Sequence, residues 1–174
     1  MEQRYDLSGS LLHWYDYNKR ILPWRENKDP YRIWISEIML QQTRVEAVKP
    51  YFDRFMEVLP TVYDLAKVDD DRLMKLWEGL GYYNRARNLK AAAQTIVEEY
   101  GGQLPADYDK LLSLKGIGMY TAGAIGSIAF ELQVPAVDGN VLRVLTRLWG
   151  DDSDILKDKT KKAMGRRVME FMPV

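Results

Sequence analysis

Two carboxylates sit in settings that suit them to chemistry. Glu37 lies within Ile33-Trp-Ile-Ser-Glu37-Ile-Met-Leu40, a run so apolar that an acid there stands out. At helical spacing Ile33 and Leu40 share its face, and their desolvation would favour the protonated carboxyl. A neutral acid at working pH can give a proton to a leaving group. The plainer alternatives are a side chain turned to solvent or one paired with Arg44. Asp138 directly precedes the amphipathic run Val141-Leu-Arg-Val-Leu-Thr-Arg-Leu148, so Asp138-Gly139 is first of all a helix N-cap candidate. A carboxylate at a helix start, beside a glycine that permits close approach, can also stay ionised against a developing cation. Cleavage of a glycosidic bond needs such a pair in opposite protonation states, one to protonate the leaving group and one to support an oxocarbenium-like sugar.

Polar and glycine-rich segments surround these acids. In Leu114-Lys-Gly116-Ile-Gly118-Met-Tyr120 two glycines flank one apolar residue between two helical patterns. The pattern is either a plain turn or a hairpin whose N–H groups grip phosphate at the start of the second helix. Gln41-Gln42-Thr43 follows Glu37 within a turn and offers amides that could contact bases, although surface glutamines are usually just solvated. Gly79-Leu80-Gly81-Tyr82-Tyr83-Asn84-Arg85 joins a tight turn to aromatics and arginine, which suits either a wedge in a base stack or a tyrosine-packed helix junction. Trp14, Trp24 and Trp34 are expected in the core, with Trp24-Arg25 in a loop where it could line a base pocket.

The elements that must carry these residues are helical. Apolar residues recur at three- and four-residue spacing, with no sustained alternating β-branched run, so the fold class is all-α. Helices are expected near 10–19, 31–48, 51–59, 62–66, 70–80, 86–100, 108–112, 120–130, 141–148 and 159–171. The 174 residues suffice for one large domain or two small lobes. Lys plus Arg equals Asp plus Glu at 25 each, so any nucleic-acid surface must be local. The stretch 157–167 holds six basic residues against one acidic and reads as a solvated face or a phosphate-facing one. No cysteine and a single histidine, His13, leave no disulfide, no thiolate nucleophile and no cysteine- or histidine-rich metal site. No apolar run approaches the roughly 18 residues of a membrane span, so no membrane partner is expected.

Taken in order, Ser36-Glu37-Ile-Met-Leu-Gln41-Gln42-Thr43, Gly79-Leu-Gly81-Tyr82-Tyr83, Leu114-Lys-Gly116-Ile-Gly118-Met-Tyr120-Thr-Ala and Val137-Asp138-Gly139-Asn140-Val resemble the MutY-type adenine DNA glycosylases of the helix-hairpin-helix glycosylase superfamily. The resemblance covers nearly the whole chain and rests on the combination of motifs. It implies two helical lobes with the active site between them: a six-helix, barrel-like lobe over 25–132, and a second, incomplete lobe from 1–24 and 133–174. It further implies a base-excision repair enzyme that flips adenine mispaired with 8-oxoguanine or guanine out of double-stranded DNA and hydrolyses its N-glycosidic bond. Matched position by position, Glu37 is the acid that protonates adenine at N7, and Asp138 stabilises or transiently traps the sugar cation. Tyr120 and Asn140 support Asp138. Gln42 and Tyr82 enter the duplex around the opposing base, with Thr43 and Leu80 beside them. Trp24, Arg25 and Leu40 belong to the adenine pocket, and Gly116 and Gly118 to the backbone-gripping hairpin.

The resemblance also bears on what is lacking. Endonuclease III-like members carry a Schiff-base lysine where this chain has Tyr120, so a monofunctional glycosylase is expected. Family members bind a 4Fe–4S cluster through four cysteines and MutY-type enzymes add a C-terminal domain. The chain has neither, so it is read as truncated before both, with no cofactor of its own and a cluster expected beyond residue 174. A soluble intracellular monomer is expected, bacterial and nucleoid-associated or nuclear or mitochondrial. Two alternatives stay open: a non-catalytic DNA-binding fragment of such an enzyme, and an endonuclease III-like pyrimidine-lesion glycosylase.

Overall fold

The computed structural model describes residues 7–172, and every regular element among them is helical. In chain order these are α1 (Leu7–Asn18), a 3-10 turn (Pro23–Arg25), α2 (Pro30–Leu40), α3 (Val45–Val58), α4 (Val62–Lys67), α5 (Asp70–Trp77), α6 (Asn84–Tyr100), α7 (Tyr108–Ser113), α8 (Met119–Phe130), α9 (Gly139–Trp149) and α10 (Asp158–Met169). None is long and apolar enough to cross a membrane.

Local chemistry sets most of the boundaries. The Asp29 side chain accepts from the N–H groups of Tyr31 and Arg32, and Pro30 occupies the first helical position of α2. Thr61 and Asp64 form a reciprocal capping box on α4. Asp69 and Asp107 cap α5 and α7. At the other end of a helix, Gly101 closes α6 in the left-handed conformation.

The single helix expected over 31–48 is in fact two. It breaks after Leu40, where Gln42 turns to φ 58°, and resumes at Val45. Pro50, which falls between the helices expected over 31–48 and 51–59, lies inside α3. Its ring costs one i→i−4 hydrogen bond, and burial of Val48, Phe52 and Phe55 on one face holds the helix through it.

The chain divides into two compact units, Leu22–Ala136 and a second made of the residues up to Ile21 with those from Val137. The first has a continuous core in which Trp34, Trp77, Phe52, Phe55, Ile35 and Met39 are fully buried. Its rings meet edge to face, Trp24 with Phe52 at 5.3 Å and Phe55 with Trp77 at 6.2 Å between centroids. In the second unit Trp149 stacks on Phe171 at 5.5 Å, and the Arg167 guanidinium lies 3.9 Å from the Trp149 ring centroid while pairing with Asp151 at 3.2 Å. Trp14 departs from expectation. It is 58 % exposed, because α1 buries none of its residues.

Tyr31 links the start of α2 to the end of α3: its buried hydroxyl donates to the Leu59 carbonyl at 2.8 Å. Burial, reinforced by Asp64 and Asp29, raises its ionisation far above the ordinary tyrosine range. The neutral form is therefore the one the fold favours, and its stabilisation is complete below about pH 10, the unfolded value, and lost as pH rises beyond it. Tyr31→Phe is expected to cost about 1–3 kcal/mol in urea denaturation, by leaving the Leu59 carbonyl unpaired, and to flatten the alkaline loss of stability. An unchanged alkaline profile would contradict this coupling.

Candidate active site

Helix α2 buries seven of its 11 residues, and Glu37 is half-buried among them. Next to it, the Ser36 hydroxyl is buried and donates to the Ile33 carbonyl at 2.8 Å. Leu40, at the last position of α2, packs partly buried against the core.

The helix ends on carbonyls that need partners. Arg85, at the second position of α6, supplies them from a distant part of the chain. Its Nη1 donates to the carbonyls of Ile38 (2.8 Å), Met39 (3.0 Å) and Gln41 (2.7 Å), and its Nη2 to those of Leu80 (2.9 Å) and Gly81 (3.1 Å). The guanidinium is flanked by Trp77 and Tyr82, whose ring centroids lie 5.3 and 5.7 Å away. One cation thus joins the segment that follows Glu37 to the Gly79–Tyr82 turn. Gln42 is exposed, Thr43 is half-buried with its hydroxyl on the Gln41 carbonyl at 3.3 Å, and Tyr82 is 65 % exposed. Leu80 is placed differently from its neighbours. At 7 % exposure its side chain belongs to the core, since the backbone reverses at both flanking glycines and turns it inward.

Helices α7 and α8 form the hairpin. Leu114 and Ile117 are buried and pin the connection, closed by Ile117 N–H to the Leu114 carbonyl at 3.1 Å, while Lys115, Gly116 and Gly118 stay exposed at its tip. Gly116 adopts φ +82°, and a Cβ there would stand 2.8 Å from that of Asn88 on α6. Gly118 is the N-cap of α8 and brings no side-chain oxygen to the first-turn N–H groups, with open space beside its Cα. That geometry suits a phosphate oxygen. Tyr120, in the first turn of α8, is partly exposed, and α8 packs against both α7 and α2.

Beyond α8 the chain turns at Glu131 and runs back along the helix it has just left. Gly123 makes this possible: a Cβ there would lie 2.2 Å from the Pro135 carbonyl oxygen. Two residues after that contact begins the segment bearing Asp138. Asp138 caps α9, its Oδ1 accepting from the Val141 N–H at 2.8 Å and its Oδ2 from the Asn140 amide at 2.9 Å. Asp138 and Asn140 are thus brought together, and the capping reading holds alongside any chemical one. Trp24 and Arg25 lie in the 3-10 turn, Trp24 buried and Arg25 exposed. Arg32 ties this turn to α2, donating to the Pro23 carbonyl at 2.9 Å with its guanidinium 5.1 Å from the Phe52 ring centroid.

Residues 35–170 match the HhH-GPD superfamily of base excision DNA repair proteins. The chain belongs to that superfamily. It is 47 % identical over 148 residues to the adenine DNA glycosylase of Rattus norvegicus, an alignment covering 80 % of the chain and 29 % of the rat protein. It therefore spans under a third of that relative's length. Among solved structures it resembles a thermostable thymine-DNA glycosylase, with TM-score 0.86, 30 % identity and coverage of 95 % of this chain and 76 % of the other. It also resembles endonuclease III in a non-covalent DNA complex, with TM-score 0.79, 25 % identity and coverage of 99 % and 79 %. The helix-hairpin-helix glycosylase fold expected from the motifs is the fold observed. The iron–sulfur cluster that the resemblance implies does not fit the residues present: the chain has no cysteine, and the described residues include no group of three His, Cys, Asp or Glu able to hold a metal.

No motif marks Arg32 or Gly123 among these positioning residues, and the motif around Arg85 suggests only a base-stack wedge or a tyrosine-packed junction, not a partner for the end of α2. Arginines beside a turn look like surface charge, and Gly123 sits in the middle of a helical pattern where its only local signal is a lowered helix propensity. Gly123→Ala is expected to force the 134–136 segment off α8, lowering stability by about 1–3 kcal/mol as overpacking does. Chemical denaturation measures this, and a variant as stable as its parent would show the segment free to move.

Proposed function

We propose that the chain is the catalytic core of an adenine DNA glycosylase, which hydrolyses the N-glycosidic bond of adenine mispaired with 8-oxoguanine or guanine in double-stranded DNA. The observation that carries this reading is the placement of a half-buried acid, Glu37, on an otherwise apolar helix, in a chain of the HhH-GPD superfamily 47 % identical to an adenine DNA glycosylase. The hairpin tip at Gly116–Gly118 holds a backbone phosphate. Gln42 and Tyr82, exposed on adjacent turns, occupy the space that the extruded adenine leaves and face the opposing base. Trp24, Arg25 and Leu40 form the wall that receives the adenine.

Glu37 gives its proton to adenine N7, so that the C1′–N9 bond breaks with its electron pair going to a neutral base. Asp138, held by Val141 and Asn140, lies against the positive charge that develops on the sugar, with Tyr120 in support. Water adds at C1′, and the proton it releases restores the acid. With tyrosine at position 120 no Schiff base forms, so the strand is left uncut. The enzyme acts as a monomer in the compartment that holds the DNA.

Glu37→Gln is expected to leave duplex affinity nearly intact and to lower single-turnover adenine release at least about 100-fold. Asp138→Asn keeps a good N-cap, so its loss, expected to be larger still, reports charge rather than folding. Wild-type rates in either variant would rule out the two-carboxylate mechanism. Duplex binding without release by the unmodified chain would make it a binding fragment instead.

A further inference from the structure

Three residues other than glycine adopt positive φ among the described residues: Gln42 (58°), Tyr82 (49°) and Glu131 (55°). A side chain with a Cβ rarely adopts this conformation and keeps it only where the surroundings impose it. Two of the three stand on the turns that one guanidinium joins. Gln42 directly follows Gln41, whose carbonyl receives the shortest of the five Arg85 hydrogen bonds, and Tyr82 directly follows Gly81, whose carbonyl receives another. Both side chains are exposed. The strained conformations therefore do not bury Gln42 or Tyr82; they aim them outward. Arg85 itself is half-buried at the start of α6 and spends both terminal nitrogens on backbone carbonyls.

We propose that Arg85 is a positioning residue that locks the turn after α2 to the Gly79–Tyr82 turn, presetting Gln42 and Tyr82 as one rigid pair before DNA arrives, so that extrusion of the base depends on a residue acting through backbone rather than through its own contact. The proposal rests on the function proposed above for its account of what Gln42 and Tyr82 do. The clamp also fixes the end of the helix that carries Glu37, one residue before the first clamped carbonyl. A wedge preset in this way meets the duplex without a further ordering cost, which is what preorganisation contributes to binding and catalysis. Only a planar fork suits the task. A lysine ammonium is a point charge with three donors and cannot span five carbonyls on two segments.

The test compares Arg85→Lys with the unmodified chain by three readouts. Amide hydrogen exchange follows residues 38–44 and 79–83 against α3 and α4. Fluorescence of 2-aminopurine placed opposite 8-oxoguanine follows base extrusion, and single-turnover adenine release, referred to the folded fraction, follows the chemistry. The clamp predicts that exchange in both turns rises together by about tenfold or more while α3 and α4 keep their protection. It also predicts that extrusion and release fall at least about tenfold while affinity for a fully matched duplex stays within about threefold. Exchange rising evenly over the unit, or in one turn only, overturns the proposal, as do extrusion and release within about threefold of the parent. Arg85→Gln, which keeps two amide donors, is the second variant. If neither variant folds, Arg85 is a structural residue and the positioning role is wrong. An unmodified chain that binds the duplex but neither extrudes nor releases a base overturns the glycosylase reading and with it the dependence of extrusion on Arg85; exchange alone then decides the coupling of the two turns, which stands only if Arg85→Lys loosens both together.

Discussion

A helix that ends inside a protein leaves carbonyl groups without partners, and burying them unpaired costs more than most single contacts return. Helix α2 ends in this way, and the turn that follows leaves the core at once, with Gln42 exposed at φ 58°. The constraint is met by one guanidinium from α6. Its position fixes more than a helix end: the same group holds the Gly79–Tyr82 turn and lies beside the Trp77 ring, so the core, the acid-bearing helix and both exposed turns share a single fastening. Arginine is suited to this because its charge is delocalised, weakly hydrated and spread over a planar fork.

A second constraint governs the segment that returns along α8. The returning segment lies so near α8 that Gly123 has no room for a side chain, and Val134 contacts the face at Gly126 as well. Asp138 is held at both carboxylate oxygens by the Val141 N–H and the Asn140 amide. The Arg85 fastening rests on hydrogen bonds to five carbonyls and the α8 contact on close packing, and neither depends on the net charge, which in this chain is zero.

What was legible in the sequence was what local rules determine. The hairpin was readable because Gly116 and Gly118 bracket an apolar residue between two helical repeats, and the cap at Asp138 because Asp-Gly precedes an amphipathic run. Helices α4 to α9 lie close to their expected places for similar reasons. The break after Leu40 was not legible, because its cause sits 44 residues away from Gln41 at Arg85. Pro50 misled in the opposite sense: burial of Phe52 and Phe55 outweighs the broken hydrogen bond that a proline signals. Leu80 looked like part of an exposed wedge because the motif around it is polar and aromatic, yet the paired glycines rotate it inward. Trp14 looked like core because tryptophan usually is.

The tryptophans have a practical consequence. Trp24, Trp34 and Trp77 are buried in the 22–136 unit, whereas Trp14 and Trp149 belong to the other. The buried three emit from an apolar setting shielded from quenchers, and the exposed Trp14 emits from water. Trp77 has a further distinction, since its indole N–H donates to the Gly81 carbonyl at 3.1 Å while its ring faces the Arg85 guanidinium. Any displacement of that turn changes both the hydrogen bond and the local field at the indole. The protein therefore carries an optical reporter of its own Gly79–Tyr82 turn, readable without a label.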